Sequence, residues 1–244
     1  MMNNPKANAL GFGLVSELEK AVEEVYEDRS VRAVVLASAV PGVFCAGADL
    51  KERASMSSVE AELFVVRLRS LMSRIACIPA PTIAAVEGSA AFGGGLELML
   101  ACDLRVVGSE AAMGLTETSL GIIPGAGGTQ RLPRLIGASK AKELIFTARR
   151  LSASEALELG MVNKLVGAGQ AEGGALSMAT DIAKRGPLAV RAAKQAIDQG
   201  LVMSDAERGM SIERRMYATV LGTRDRDEGL AAFRERRPPI FTGK

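Results

Sequence analysis

The segment EGSAAFGGGLELMLACDLRV, residues 87–106, decides the fold of this chain. Its three consecutive glycines precede an apolar helical stretch, and an apolar strand is predicted directly after it at 104–107. Another short apolar strand is predicted just before it, at 82–86. Strand, helix and strand in this order favour a mostly parallel sheet with helical crossover connections.

The same alternation continues in both directions along the chain. Short apolar segments predict buried strands at 31–37, 82–86, 104–107 and 161–166. Apolar residues at helical spacing predict helices at 14–26, 60–76, 171–184, 188–199, 205–220 and 224–235. Ser152 and Glu155 form a capping-box pattern that predicts a further helix start. We therefore expect an α/β core over residues 1–185, followed by a helical region over 186–244.

The composition excludes several classes of site. The chain has 244 residues, of which 48% are hydrophobic and 24% charged, as in globular proteins. It has no histidine, so nucleophile systems that use an imidazole base and histidine-ligated zinc sites are excluded. Thirty basic and 28 acidic residues leave a net charge of +2, which gives no global field for nucleic acid or an anionic membrane. Acid–base chemistry would fall to carboxylates, lysines or the two tyrosines.

The cysteines and the apolar runs bear on the compartment. Cys45, Cys77 and Cys102 are far apart and odd in number, which favours a reducing compartment and no disulfide framework. No run of about 18 apolar residues predicts a membrane span. The first residues show neither a signal-peptide core nor an arginine-rich presequence.

Two glycine-containing segments are candidate sites for binding an anion. FCAGADLKER, residues 44–53, and the triple glycine each precede a predicted helix, the first of which is expected to begin at Ala48. A helix start leaves backbone N–H groups unpaired, and these can stabilise an oxyanion. Taken alone, an ordinary turn and tight helix–sheet packing explain the two segments at least as well. GAGGTQ, residues 125–130, does not fit the dinucleotide fingerprint because its sixth position is glutamine.

Two carboxylates stand out as candidate acid–base groups. Glu97 lies in the apolar stretch LELMLA, where it must be solvated by a cleft or have a raised pKa. Glu117 precedes an apolar run rich in glycine and proline, and by itself it is better explained as a solvated loop residue. Asp49 and Asp103 compete with them for the acid–base role.

Taken together, four segments resemble the crotonase (enoyl-CoA hydratase/isomerase) superfamily. They are FCAGADLKER (44–53), EGSAAFGGGLELMLACDLRV (87–106), MGLTETSLGIIPGAGGTQRLPRLIG (113–137) and AKELIFTARRLSASEALELGMVN (141–163). The resemblance implies an α/β crotonase-like (ClpP/crotonase) fold with a repeated ββα-type core and a C-terminal helical region for trimerisation. Residues 48–58 and 227–244 are most similar to a mitochondrial branch that contains methylglutaconyl-CoA hydratase and enoyl-CoA hydratase domain-containing protein 2.

The resemblance implies specific roles for residues of this chain. The backbone amides of Ala48 and Gly94 match the pair that binds the thioester oxygen of an acyl-CoA. Glu97 matches the glutamate that deprotonates water, and Glu117 matches the main acid. The expected reaction is hydration of a short 2-enoyl-CoA, with 3-methylglutaconyl-CoA as a candidate. No metal or redox cofactor is implied, since coenzyme A is part of the substrate.

Further positions match the family's coenzyme A path and its assembly. The path is implied at Ala48, Asp49, Leu50, Lys51 and Gly94. Phe233 and Arg236 match aromatic and basic positions that close a neighbouring subunit's site, although the family commonly has lysine at the second. We therefore expect a homotrimer or a dimer of trimers.

Two features differ from the family pattern. The family usually has a β-hairpin before the segment NPKANAL, residues 4–10; here three residues precede that segment, and we expect the sequence to lack the hairpin and to expose a sheet edge. Bulky Phe92 stands before the glycines where a small or aliphatic residue is usual, and we expect it to shape the acyl pocket.

Other functions remain as alternatives. An enoyl-CoA isomerase or another crotonase reaction is the nearest, but those subgroups generally lack one of the two glutamates. RNA binding, implied by one relative of the branch, is disfavoured because the first helix offers Lys20 among five glutamates, Glu17, Glu19, Glu23, Glu24 and Glu27.

We expect no membrane partner. The expected location is the mitochondrial matrix if the source is eukaryotic and the cytoplasm otherwise.

Overall fold

The structure, a computed structural model, describes residues 1–203 and 205–244. The helices within them are α1 (Phe12–Glu27), α2 (Leu50–Ala54), α3 (Ser58–Ala76), α4 (Gly94–Ala101), α5 (Gly128–Ile136), α6 (Ala138–Phe146), α7 (Ala153–Glu158), α8 (Ala171–Ala183), α9 (Pro187–Gly200), α10 (Ala206–Leu221) and α11 (Arg224–Glu235). The strands are β1 (Val34–Leu36), β2 (Thr82–Val86), β3 (Ala91–Phe92), β4 (Leu104–Gly108), β5 (Ala112–Gly114), β6 (Leu151–Ser152) and β7 (Lys164–Val166). A short 3-10 turn spans Glu117–Leu120.

The chain divides into two compact units. The first contains residues 1–28, 35–78 and 82–177, and it holds nearly all of the sheet structure. The second contains residues 29–34, 79–81 and 178–244. The second unit thus takes in two short segments from the N-terminal half, and residues 178–185 fall within it rather than within the predicted core.

A four-stranded sheet forms the core of the first unit, in the order β1-β2-β4-β7. β2 pairs in parallel with β4, and β4 in parallel with β7, which confirms the prediction of a mostly parallel sheet. Every residue of β2 is buried, as expected for a strand covered on both faces. Burying such apolar side chains contributes about 25 cal/mol per Å² of apolar surface.

A smaller sheet positions the candidate site. β3 pairs in parallel with β5, and β5 pairs antiparallel with β6. β3 leads through Gly93 into α4, and β5 leads into the 3-10 turn that begins at Glu117. Pairing of these two strands therefore brings the helix that carries Glu97 close to the turn that carries Glu117.

Two strands are shorter in the structure than the sequence predicts. β1 is three half-buried residues rather than a buried strand over 31–37, because the backbone before it makes other contacts. The Val31 carbonyl accepts a hydrogen bond from Arg191 at 3.0 Å, and the Val34 N–H donates to the Pro81 carbonyl at 2.8 Å. The last strand covers only Lys164–Val166 of the expected 161–166.

The second unit is built from helices that its sequence predicts closely. α9 and α10 pack against each other, and α11 has the bounds expected for it. The buried Asp225 carboxylate accepts hydrogen bonds from the N–H groups of Thr242 and Gly243, at 2.6 and 2.9 Å. These bonds hold the last residues of the chain against α11.

Neither a membrane span nor a metal cluster is found in the part of the chain that the structure describes. No described helix is long and apolar enough to cross a bilayer. No three described cysteine, aspartate or glutamate side chains lie close enough together to hold a metal ion.

Candidate active site

A cavity of about 1290 Å³ opens in the first unit. Its walls come from the loop before α2, from α3 and α4, and from the segment between the 3-10 turn and α5. Four predicted catalytic positions line it together: Ala48, Gly94, Glu97 and Glu117. Segments more than 60 residues apart in sequence therefore supply one site, with Ala48 and Glu117 on its walls.

The backbones of Ala48 and Gly94 lie side by side in the cavity wall. A Cβ atom built on Gly94 would lie 3.9 Å from the backbone nitrogen of Ala48. Among the described residues, neither backbone N–H donates a hydrogen bond to a protein acceptor. Gly94 is the first residue of α4, where N–H groups have no partner within the helix. Ala48 lies before α2 rather than at its start, because Asp49 caps that helix.

Each of the three consecutive glycines is required for a different structural reason. Gly93 has φ +52°, and a Cβ there would lie 3.2 Å from Glu117 Oε1. A Cβ on Gly95 would lie 2.1 Å from the Cys45 carbonyl oxygen, so only glycine allows this approach. Tight packing therefore explains Gly95, whereas Gly94 faces the cavity.

Glu97 is buried on α4, with 3% of its surface exposed, and it is held by backbone donors. Its Oε1 accepts hydrogen bonds from the N–H groups of Ala126 and Gly128, both at 2.8 Å. We call residues 125–128 the Glu97-binding loop. Burial raises the pKa of Glu97, while these two bonds and the charges of Arg131 and Arg69 act in the opposite direction. Of the two alternatives that the sequence left open for Glu97, a solvating cleft or a raised pKa, the structure shows a raised pKa in a side chain that also lines the cavity.

The Glu97-binding loop is a part of the site that the sequence did not predict. GAGGTQ, residues 125–130, does not fit the dinucleotide fingerprint, and the segment 113–137 that contains it contributes to the family resemblance without a role being implied for these residues. The loop's shape depends on Gly127, whose φ of +116° favours glycine. A glycine-rich stretch immediately before an amphipathic helix was the available signal, although nothing local in it points to Glu97.

Glu117 is not the solvated loop residue that its own sequence context favours. Its Oε2 atom is buried and has no hydrogen-bond partner among the described residues. Burial raises the pKa of Glu117 to about 7, and the nearby Glu97 charge adds to the effect. A carboxyl group with this pKa carries a proton in a large fraction of molecules near neutral pH.

The rival aspartates have structural roles. Asp49 accepts hydrogen bonds from the backbone of Glu52 and Lys51 and pairs with Lys6 at 3.2 Å. Those contacts lower the pKa of Asp49. The Asp103 carboxylate accepts from the backbone N–H of Thr82 at 2.7 Å. Neither aspartate lines the cavity.

Only some of the other predicted binding residues line the cavity. Leu50 lines the cavity, whereas Lys51 is exposed and does not. Phe233 and Arg236 belong to the second unit, where both are exposed at the end of α11. Their contact with a neighbour's coenzyme A stays a prediction.

Phe92 does not shape the cavity as we expected. It is absent from the cavity wall, and its ring lies 4.6 Å from the guanidinium carbon of Arg150. This cation–π contact explains an aromatic residue at the end of β3.

Glu117→Gln is expected to stabilise the protein at alkaline pH. The folded-state pKa of Glu117 is raised from 4.5 to about 7, so its contribution to stability is full below the lower value and is lost as pH rises through the higher one. Glutamine stays neutral, so its advantage over glutamate should grow across that window. Urea unfolding at about pH 5 and about pH 8 measures this difference. Glu110→Gln, at an exposed loop residue, is the control, and an equal pH dependence in both variants would contradict the argument.

Comparisons with known proteins identify the family. The Enoyl-CoA hydratase/isomerase family profile matches residues 1–244. Mouse enoyl-CoA hydratase domain-containing protein 2, mitochondrial, is 56% identical over 250 residues, covering 100% of this chain and 83% of the relative. Mouse methylglutaconyl-CoA hydratase, mitochondrial, is 52% identical over 241 residues, covering 97% and 76%. These relatives match the branch inferred from the sequence.

A solved structure confirms the fold. The crystal structure of an enoyl-CoA hydratase from Bacillus anthracis superposes with a TM-score of 0.94 at 48% identity, covering 98% of this chain and 92% of that one. The α/β crotonase fold expected from the resemblance is therefore confirmed. The fold, the cavity and the matches over the whole length lead to one conclusion: the chain belongs to the enoyl-CoA hydratase/isomerase family.

Proposed function

We propose that this chain hydrates the C2–C3 double bond of a short 2-enoyl-CoA. The observation that carries the proposal is the pairing of two carboxylates with two unpaired backbone N–H groups in one cavity wall. Hydration needs a base for water, an acid for C2 and donors for the negative charge on the thioester oxygen. The four groups meet these needs without a metal or redox cofactor.

The two glutamates divide the proton transfers between them. Ionised Glu97 takes a proton from water as the water oxygen bonds to C3. The electron pair of the double bond moves to the thioester oxygen, where the N–H groups of Ala48 and Gly94 stabilise it. The electron pair then returns from the oxygen to C2, which takes the proton of Glu117. After product release, Glu97 loses its proton and Glu117 regains one by exchange with solvent. The pKa of about 7 for Glu117 supports its role as the acid, and the two backbone donors on Glu97 support an ionised base.

The retention of both glutamates favours hydration over isomerisation. An isomerase moves a proton between two carbon atoms of one substrate, for which one carboxylate suffices. A second carboxylate with a raised pKa in the same cavity has a use when water must be activated as well.

Arg53 bears on the choice of acyl chain. It lines the cavity, and its Nε atom is buried without a hydrogen-bond partner among the described residues. Its Nη1 atom donates to the Ala61 carbonyl at 3.3 Å, and its guanidinium carbon lies 4.6 Å from the centre of the Phe64 ring. These contacts hold a positive charge in the cavity wall, where it would attract a carboxylate on the substrate. This favours a substrate with a second carboxylate, such as 3-methylglutaconyl-CoA, over crotonyl-CoA.

An assay with two substrates tests the proposed hydratase activity and the proposed preference for a substrate with a second carboxylate. We expect the purified chain to hydrate both thioesters, with a higher kcat/KM for 3-methylglutaconyl-CoA. Arg53→Met should lower that kcat/KM by about tenfold or more, because it removes a charge-assisted contact, and it should change the crotonyl-CoA value far less. Equal losses on the two substrates would remove Arg53 from the specificity argument. No hydration of either would refute the activity.

Assembly into homotrimers, paired as hexamers, is also proposed. The second unit exposes large apolar side chains that a subunit interface would cover, including Met210, Tyr217, Leu221 and Phe233. Ile212, another apolar residue of α10, is instead buried. The apolar surface therefore supports the assembly implied by the family.

The assembly proposal predicts that activity and oligomeric state are coupled. Light scattering should give at least three chain masses, and deletion from Thr223 should lose both assembly and coenzyme A affinity. Phe233→Ala, at a residue 84% exposed, should raise KM about tenfold with folding unchanged. The matched control is Phe146→Ala, which removes a phenylalanine 72% exposed in the first unit. An active monomer, or equal effects of the two variants, would contradict the coupling.

The surface of α1 bears on RNA binding, and the names of the relatives bear on the cellular location. On α1, Glu17, Glu23, Glu24 and Glu27 are exposed beside Lys20. This acidic surface does not favour a phosphate backbone, so we infer no nucleic-acid partner. The two mouse relatives are named as mitochondrial, which supports a mitochondrial matrix location if the source is eukaryotic.

A further inference from the structure

One amide group of the Glu97-binding loop lies between a guanidinium and the Glu97 carboxylate. The peptide that joins Gly125 to Ala126 donates its N–H to Glu97 Oε1 at 2.8 Å. The carbonyl oxygen of the same peptide accepts a hydrogen bond from Arg69 Nε of α3 at 3.1 Å. A donor on the carbonyl polarises the amide, which strengthens the hydrogen bond that its N–H gives.

Arg131 of α5 holds the other half of the loop. Its Nη1 atom donates to the Ala126 carbonyl at 3.0 Å. The guanidinium lies against Gly127, since a Cβ atom built there would be 2.0 Å from Nη1. The next residue, Gly128, gives Glu97 its second backbone hydrogen bond. Both peptides that donate to Glu97 are thus flanked by arginine contacts.

We propose that Arg69 and Arg131 are positioning residues for the hydration reaction, acting on Glu97 through the backbone of the Glu97-binding loop. They hold the two N–H groups towards Oε1 and stabilise the ionised carboxylate with two positive charges. This fixes Oε1 and leaves Oε2, which accepts no hydrogen bond from the described residues, for the attacking water. The inference rests on the proposed hydration, but its effect on Glu97 can be measured separately.

The charged groups around Glu97 determine in which direction its pKa changes when an arginine is removed. Glu117 faces it from the 3-10 turn, Arg69 from α3 and Arg131 from α5. Burial raises the pKa of Glu97, and the two arginines lower it. Removing either arginine should therefore raise the pH at which Glu97 becomes ionised. A structural role alone would reduce activity without moving that pH.

The pH profile of kcat/KM tests the proposal. Arg69→Met and Arg131→Met should each move the acidic limb upward by about half a pH unit or more, and the double variant should move it further. Arg69→Lys and Arg131→Lys retain the charge and should lie between wild type and the methionine variants. Arg74→Met is the matched control, because Arg74 also lies on α3 but pairs with Glu23 away from the cavity.

A second measurement separates this inference from the proposed function. Carbon-13 NMR of labelled glutamate carboxyl groups, with Glu97 assigned through Glu97→Gln, follows its titration without any turnover. The arginine variants should shift that titration upward even if the chain hydrates no substrate that is tried. An unmoved Glu97 titration in Arg69→Met and Arg131→Met would overturn the inference, as would an equal shift in Arg74→Met.

Discussion

Glu97→Gln and Glu117→Gln should each lower kcat for crotonyl-CoA hydration by about 10²–10⁴-fold, the usual contribution of a positioned acid or base. Glutamine preserves the size of the side chain but neither takes nor gives a proton under assay conditions. KM should change little, because neither carboxylate is proposed to bind coenzyme A. Steady-state kinetics with purified variants measures both parameters.

Two controls distinguish a loss of proton transfer from a loss of folding. Glu158→Gln removes an exposed carboxylate of α7 and should leave turnover at the wild-type value. Glu117→Gln is expected to be more stable than the wild type at alkaline pH, so unfolding does not account for its loss of activity. Near wild-type turnover in either active-site variant would remove that glutamate from the mechanism.

Gly94→Pro should lower kcat by about 10²–10³-fold relative to Gly94→Ala, since proline removes one oxyanion donor. Gly94 is the first residue of α4, the position at which a helix tolerates proline best. Both substitutions add a Cβ atom, which meets Leu10 Cδ1 at 2.9 Å, the end of a flexible side chain. They differ in the backbone nitrogen: alanine keeps the N–H that faces the cavity, whereas proline replaces its hydrogen with the ring Cδ atom and thereby removes the donor and fills the place of the bound oxygen.

The comparison of the two Gly94 variants is therefore the informative one. Circular dichroism and urea unfolding of both establish that each is folded. Equal kcat values in Gly94→Pro and Gly94→Ala would show that the Gly94 N–H does not bind the developing negative charge. A loss confined to KM would assign it to substrate binding instead.

Local sequence signals were sufficient for much of the fold. β2 and α11 have their predicted bounds because an apolar β-branched run and a capped amphipathic segment define them locally. The capping box at Ser152 and Glu155 forms as expected, with the Ser152 N–H donating to the Glu155 carboxylate at 2.9 Å. Such elements depend on residues a few positions apart.

The burial of Glu117 could not be predicted from its own neighbours. Its surroundings come from α4 and from the Glu97 charge, about 20 residues earlier in the chain, so its raised pKa is a tertiary effect. The Glu97-binding loop was missed for the same reason, because the N–H groups of Ala126 and Gly128 find their acceptor on another helix. Their sequence context singled out the two glutamates as candidates, the family resemblance implied their roles, and only the fold shows their geometry.

The product formed from crotonyl-CoA in heavy-oxygen water tests the central claim most directly. Mass spectrometry of that product distinguishes addition of water from rearrangement. We predict a 3-hydroxyacyl-CoA heavier than the substrate by one labelled water, with its formation lost in both Glu97→Gln and Glu117→Gln. Unchanged thioester, a product with the mass of the substrate, or labelled product formed equally well by both variants would contradict hydration by this pair of glutamates.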